Sequence, residues 1–156
     1  RERFQPFDYL LTAAVGPAEY LPHLSYNITE MVKYLDFINI MAYDLHGPWE
    51  SSVGHNAPIY ASNSDITDRA KQHSFDGLAK YWLAQGAPSN KLVMGIPFYA
   101  RSFTLKDPHN AAVNSLHIGP GIAGQYTKQP GILTYNEFCE FLVKDKLNWH
   151  FEWDSV

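Results

Sequence analysis

One cysteine, and no HxH, HExxH or other tight spacing among histidines 23, 46, 55, 73, 109, 117 and 150, leave no ligand set for a metal. No cofactor is implied either. Glycine-rich phosphate loops of the GxGxxG and GxxxxGK[ST] kinds are missing, which argues against a nucleotide-binding sheet. Basic runs are absent: 12 Lys and Arg stand against 16 Asp and Glu for a net charge of -4, so there is no electrostatic footprint for nucleic acid or an anionic membrane. No apolar stretch approaches the roughly 20 residues that a membrane-spanning helix needs. The opening RERFQPFDY has neither the apolar core nor the cleavage site of a signal peptide, and no initiator Met precedes it. The chain also stops at FEWDSV without a helix end or a turn, and it reads as an internal fragment. Fixed-period repeats and low-complexity segments are missing too.

What remains is apolar and aromatic. At 46% hydrophobic and 15% aromatic, 156 residues can supply a sizeable core, enough for one domain or part of a larger one. Strand and helix signals alternate along it. YLLTAAV, residues 9–15, is a short branched run ended by Gly16-Pro17, which predicts a buried strand. Asn27 precedes ITEMVKYL, with Glu30 placed for a capping box, and Ile28, Met31, Val32 and Leu35 share one helical face. FINIMAY, residues 37–43, lacks polar alternation, as a strand covered on both faces does. A loop rich in Ser, Asn, Gly and Pro follows from Asp44 to Asp68. FDGLAKYWLAQG, residues 75–86, places Leu78, Tyr81 and Trp82 at helical spacing and ends on a glycine. KLVMGIPFYARSFTL, residues 91–105, reads as a third strand in which Gly95 and Pro97 exclude bulk and disturb the ladder.

Such alternation indicates parallel βα units, compatible with an open doubly wound sheet or a closed barrel. Polar residues gather at the ends of the second and third strands, where a barrel builds its active site, and this favours the barrel. After Leu105 the rhythm breaks into a Gly- and Pro-rich segment, a short helix at TYNEFCEFLVK and the aromatic tail NWHFEWDSV. The expected fold is α/β, a partial (β/α)8 TIM barrel in residues 1–105 with the start of a small α+β insertion domain in residues 106–156.

The stretch MAYDLHGPWE, residues 41–50, is followed by GIPFYARSFTL and then GILTYNEFCEFL. These three ordered blocks resemble the second half of a glycoside hydrolase family 18 chitinase barrel, and the resemblance covers nearly the whole chain. It implies about strands five to seven of the eight-stranded barrel and part of the domain inserted after the seventh. The implied activity is retaining hydrolysis of β-1,4-linked N-acetylglucosamine polymers, with the substrate's own acetamido oxygen as nucleophile. The family's DxxDxDxE signature does not occur here. By resemblance the catalytic glutamate lies upstream of Arg1 and the last strand beyond Val156, so these residues alone are expected to be inactive. Chitin or chitooligosaccharides are the implied partners of a secreted monomer.

Substrate assistance asks for a hydroxyl donor to the acetamide and an apolar wall for its methyl. Strand periodicity places Met41 and Tyr43 on one face and Ala42 on the other. By resemblance Tyr43 is the donor and Met41 part of the wall. Asp44, which needs a turn or bulge to enter the pocket, accepts from sugar and tunes the glutamate. Tyr99 and Arg101 contact sugars, and Trp49 offers a face for stacking at a reducing-side subsite. The implied substrate-binding set is Met41, Ala42, Tyr43, Asp44, Trp49, Tyr99 and Arg101, with Tyr43 and Asp44 also in supporting catalytic roles.

Structural alternatives stand beside these roles. Tyr43 would serve as a core tyrosine, Asp44 as a turn residue, Arg101 as half of an ion pair, Trp49 as packing under the insertion and Met41 as filling. His46, beside Gly47, shapes its loop. Asn27 is either a helix cap or the acceptor of an N-I-T sequon. Cys139 is half of a bridge, whose partner the resemblance places beyond Val156, or a buried free thiol. The resemblance leaves a second function open, a chitinase-like lectin whose catalytic glutamate has been replaced.

Overall fold

A computed structural model of the chain describes residues 1–17, 25–63, 65–145 and 147–154, with the main chain alone at 68 and 69. His23 lies outside them. Internal contacts gather into two units, Arg1–Tyr43 with Ala57–Ile96, and Asp44–Asn56 with Pro97–Val156.

In the first unit, β1 (Thr12–Val15), β2 (Phe37–Ile40) and β3 (Leu92–Met94) form an all-parallel sheet in the order β1-β2-β3. Parallel neighbours need a crossover. The first connection carries the helix Ile28–Met31 and the second the helices Asp68–Gln72 and Phe75–Ala84. Ile38 and Ile40 of the central strand are completely buried, and Leu78 and Trp82, one turn apart on Phe75–Ala84, are buried with them. The fully buried Ser74 hydroxyl starts that helix, accepting the Gly77 N–H at 3.0 Å and donating to the Lys71 carbonyl at 3.1 Å.

Several elements are shorter than their sequence patterns. β1 begins only at Thr12. The helix after Asn27 lasts one turn, because Asp36 N–H already donates to Leu11, and the Lys91 ammonium takes up the carbonyls of Val32 and Leu35 at 2.7 Å each. Asn27 is a cap: its side chain accepts the Glu30 N–H at 3.2 Å and the Thr29 hydroxyl at 3.1 Å. β2 ends at Ile40 instead of Tyr43; Met41 N–H still reaches the Val15 carbonyl at 3.0 Å, but Ala42 N–H folds back to Ile40 at 2.9 Å. Asp68–Gln72, inside the expected loop, is a helix capped by the Thr67 hydroxyl, which accepts Ala70 N–H at 3.1 Å.

The expected third strand, residues 91–105, is three strands in three sheets. β3 stops at Met94; β4 (Tyr99–Arg101) pairs antiparallel with β7 (Ile132–Thr134), and β5 (Phe103–Leu105) with β6 (His117–Pro120). Pro97 has no N–H for a ladder, and Ser102 donates instead to the Gly131 carbonyl at 3.0 Å, which separates β4 from β5.

The helix Tyr135–Lys144 follows β7 directly and opens on a Thr134-to-Glu137 capping box. Glu137 is only 1% exposed. Its carboxylate accepts the N–H groups of Tyr126 at 2.6 Å, Thr127 at 2.9 Å and Thr134 at 2.9 Å, and the Thr134 hydroxyl at 2.8 Å. Burial pushes this carboxyl up, but the bonds from Thr127, Thr134 and Tyr126 outweigh it and lower its pKa from 4.5 to about 2. A depressed carboxyl stabilises the fold above its ordinary value, and that stabilisation is lost as pH falls from 4.5 through about 2. In the full-length protein, Glu137→Gln should lower stability at neutral pH and flatten its decline across this acid range. Denaturant melts at stepped pH check this; a mutant with the wild-type acid slope would refute it.

Candidate functional site

Asp44 follows Tyr43 with φ 58°, a left-handed conformation uncommon outside glycine. This is the turn that a pocket role for Asp44 requires. Asn56 secures it from the far end of the same loop: its Oδ1 accepts Asp44 N–H at 2.9 Å, its carbonyl accepts Leu45 N–H at 3.1 Å, and its Nδ2 donates to the Tyr99 carbonyl at 3.1 Å. The turn is thereby tied to β4.

β4 then meets the Asp44 carboxylate with alternate side chains. Asp44 Oδ1 accepts from the Tyr99 hydroxyl at 2.7 Å, from Arg101 Nε at 2.9 Å and from Arg101 Nη2 at 2.6 Å. Two residues apart on a strand, Tyr99 and Arg101 share a face, while Ala100 between them is exposed. The Arg101 side chain is 15% exposed and that of Asp44 39%, so the cation is the more enclosed partner. Its guanidinium carbon stands 5.0 Å from the Trp49 ring centroid and 5.6 Å from that of Tyr99, within cation–π range of both. Trp49 is 57% exposed, leaving indole surface open to a ligand.

Four of the expected residues, Asp44, Trp49, Tyr99 and Arg101, are therefore assembled in the second unit. Met41, Ala42 and Tyr43 belong to the first, where exposure alternates as a strand would have it: Ala42 is fully buried, Met41 and Tyr43 are half-buried. Tyr43 lies against Gly95, where an added Cβ would stand 2.9 Å from Tyr43 Cε1 and 2.9 Å from the Ile40 carbonyl. Gly95 thus admits the tyrosine ring.

Asn56 carries no motif in the sequence beyond that of an asparagine closing a polar loop, yet it ties the Asp44 turn to β4. The T-x-x-E spacing of Thr134 and Glu137 is the sequence sign of the buried capping carboxylate. Cys139 is half-exposed on Tyr135–Lys144, and its hydrogen bond with the Tyr135 hydroxyl raises that tyrosine above its ordinary pKa.

The whole chain, residues 1–156, matches the model of the family described as glycosyl hydrolases family 18. Probable chitinase 2 of Drosophila melanogaster is 40% identical over 154 residues, which are 99% of this chain and 30% of that protein. Among solved structures, Ostrinia furnacalis Group IV chitinase in complex with allosamidin has a TM-score of 0.85 at 42% identity, covering 93% of this chain and 39% of that one. Human YKL-39, described as a pseudo-chitinase with retained chitooligosaccharide binding properties, has a TM-score of 0.85 at 37% identity, covering 91% of this chain and 41% of that one. The chain spans less than half the length of these relatives. Its fold is α/β, part of a (β/α)8 barrel with the beginning of a small α+β insertion.

Proposed function

From the premise that this chain belongs to glycosyl hydrolase family 18, we propose that it forms part of the sugar-binding cleft of a secreted chitinase acting on β-1,4-linked N-acetylglucosamine. The observation that carries this reading is the Asp44 carboxylate gripped by Tyr99 and Arg101 beside an exposed Trp49. An aromatic face next to oriented donors and acceptors suits a pyranose, whose C–H surface stacks and whose hydroxyls hydrogen-bond. The reaction is retaining and substrate-assisted. Tyr43 donates to the acetamido oxygen and turns it beneath the anomeric carbon, and Met41 forms part of the acetamide wall, while Ala42, fully buried on the other face, packs behind them. Asp44 orients the group, while the acid comes from a glutamate elsewhere in the whole protein.

The test is turnover of N-acetylglucosamine oligomers by the full-length protein, with the product anomer followed by NMR. Release of β-anomer first supports the reading, and α-anomer refutes it. Binding without turnover would instead favour a chitooligosaccharide lectin, a reading encouraged by the likeness to YKL-39.

Trp49→Ala should weaken oligomer binding by about 10-fold while changing saturated kcat far less, since stacking is felt equally by ground and transition states. Titration calorimetry alongside steady-state kinetics separates the two, and an unchanged affinity would remove Trp49 from the cleft. Cys139, in the same proposal, is bridged in the whole protein. Its alkylation without prior reduction, found by peptide mass mapping, would refute the bridge.

A further inference from the structure

The tip of the loop that carries Trp49 is built as a small mount. Glu50 N–H donates to the Gly47 carbonyl at 3.0 Å, closing a tight turn with Pro48 and Trp49 at its centre. Across the base of that turn, His46 Nδ1 and Glu50 Oε2 lie 2.8 Å apart. The His46 ring rests against Gly54, where an added Cβ would stand 2.5 Å from its Cγ. The indole itself lies over Gly47: a Cβ there would come within 2.3 Å of Trp49 Cη2 and Cζ3. Base, seat and indole are one assembly.

The His46 and Glu50 side chains are 27% and 32% exposed, and a pair in such surroundings contributes little to global stability. What it does is geometric. An aromatic platform that must be ordered by its ligand binds more weakly than one already in place, because the ordering entropy is charged to association. A short turn whose two ends are joined by side chains removes that cost in advance.

We propose that Glu50 is a positioning residue for Trp49, holding the His46 ring across the turn so that the indole stands ready for a sugar. This rests on the reading of Trp49 as a sugar platform.

The test uses full-length protein labelled with 5-fluorotryptophan, the Trp49 fluorine resonance being assigned by its loss in Trp49→Phe. Glu50→Ala should shift or broaden that resonance, whereas Glu50→Gln, which keeps an acceptor for His46, should leave it in place. Affinity for N-acetylglucosamine oligomers should fall about 5-fold in Glu50→Ala with kcat nearly unchanged, and recover in Glu50→Gln. Combined with Trp49→Ala, the Glu50→Ala change should add nothing further, because its effect passes through the missing indole.

An unmoved Trp49 resonance in Glu50→Ala overturns the proposal. So does full additivity with Trp49→Ala, or a Glu50→Gln variant as impaired as Glu50→Ala. If the resonance moves in Glu50→Ala but Trp49→Ala binds oligomers normally, Glu50 does position the indole, and it is the sugar-platform reading that falls.

Discussion

Full-length protein carrying Asp44→Ala should lose at least about 100-fold in kcat/KM on N-acetylglucosamine oligomers, a loss that misplaced binding groups are sufficient to cause. One oxygen of Asp44 accepts three bonds, at 2.7, 2.9 and 2.6 Å, from two residues of β4. Without it the Arg101 guanidinium, whose side chain is 15% exposed, loses its carboxylate and with it the orientation that Nε and Nη2 share. A charge-assisted bond typically contributes about 1.5–3 kcal/mol, and the 39% exposure of the Asp44 side chain points to the lower end for the loss of stability. Asp44→Asn separates charge from shape. The amide oxygen can still accept from Tyr99 and Arg101 but without the charge, so this variant should lose less stability than Asp44→Ala while activity drops to an intermediate level. Kinetics and thermal unfolding of both variants check these outcomes. A kcat/KM for Asp44→Ala within about 3-fold of wild type would remove Asp44 from the binding machinery and leave it a turn residue with a structural ion pair.

That rival reading is partly true in the structure, which is why the sequence left it open. The left-handed φ of 58° at Asp44 and the Asn56 bonds are features of a turn. The bond to Arg101 is that of an ion pair, joined by a hydrogen bond from the neutral Tyr99 hydroxyl. Neither excludes sugar contact, since a carboxylate held by two neighbours is better oriented than a free one.

The parallel sheet was legible in the sequence because each strand is an apolar run with helical periodicity between: Ile38 and Ile40 are buried where FINIMAY predicts, and Leu78 and Trp82 face inward from FDGLAKYWLAQG. The helix Tyr135–Lys144 matches its pattern to within one residue at its start. The fate of residues 91–105 was not legible. Apolar composition shows that a stretch is extended but not which partner it finds, and β4 and β5 pair with β7 and β6, segments far along the chain. Only the irregularity at Gly95 and Pro97 pointed to a change of sheet. Asp68–Gln72 escaped for the opposite reason: TDRAKQH has no apolar stripe, and its cap is a local hydrogen bond to Thr67.

Within the site, alternation on β4 correctly paired Tyr99 with Arg101, and both reach the same carboxylate. Alternation was weaker ground at residues 41–43, beyond the observed end of β2. Side-chain exposure still alternates there, because Met41 keeps one parallel bond to Val15 before the backbone folds back at Ala42.

Tyr43→Phe is the variant that separates catalysis from binding. Gly95 has no Cβ to obstruct the Tyr43 ring, which approaches so closely that one would stand 2.9 Å from Cε1. Phenylalanine keeps this ring contact and removes only the hydroxyl, so the fold and the shape of the cleft around the ring should survive. In the proposed reaction the acetamido oxygen gives its electron pair to the anomeric carbon and the positive charge spreads over the ring that forms, so a donor at that oxygen acts by orientation, holding the group beneath the anomeric carbon. A hydroxyl directed at that oxygen therefore raises the share of bound substrate that is in attacking geometry, which is felt in kcat more than in the overall affinity for an oligomer. Loss of that orientation should lower kcat in full-length protein by about 100-fold while the Kd for an unhydrolysed oligomer changes by less than about 3-fold. Gly95→Ala is the contrasting variant: its methyl would displace the ring itself, so binding and turnover should fall together. Pre-steady-state turnover with direct oligomer binding measures both quantities. A Tyr43→Phe protein with kcat within about 2-fold of wild type would show that the hydroxyl does not orient the acetamide, and Tyr43 would then be an ordinary packing residue seated against Gly95.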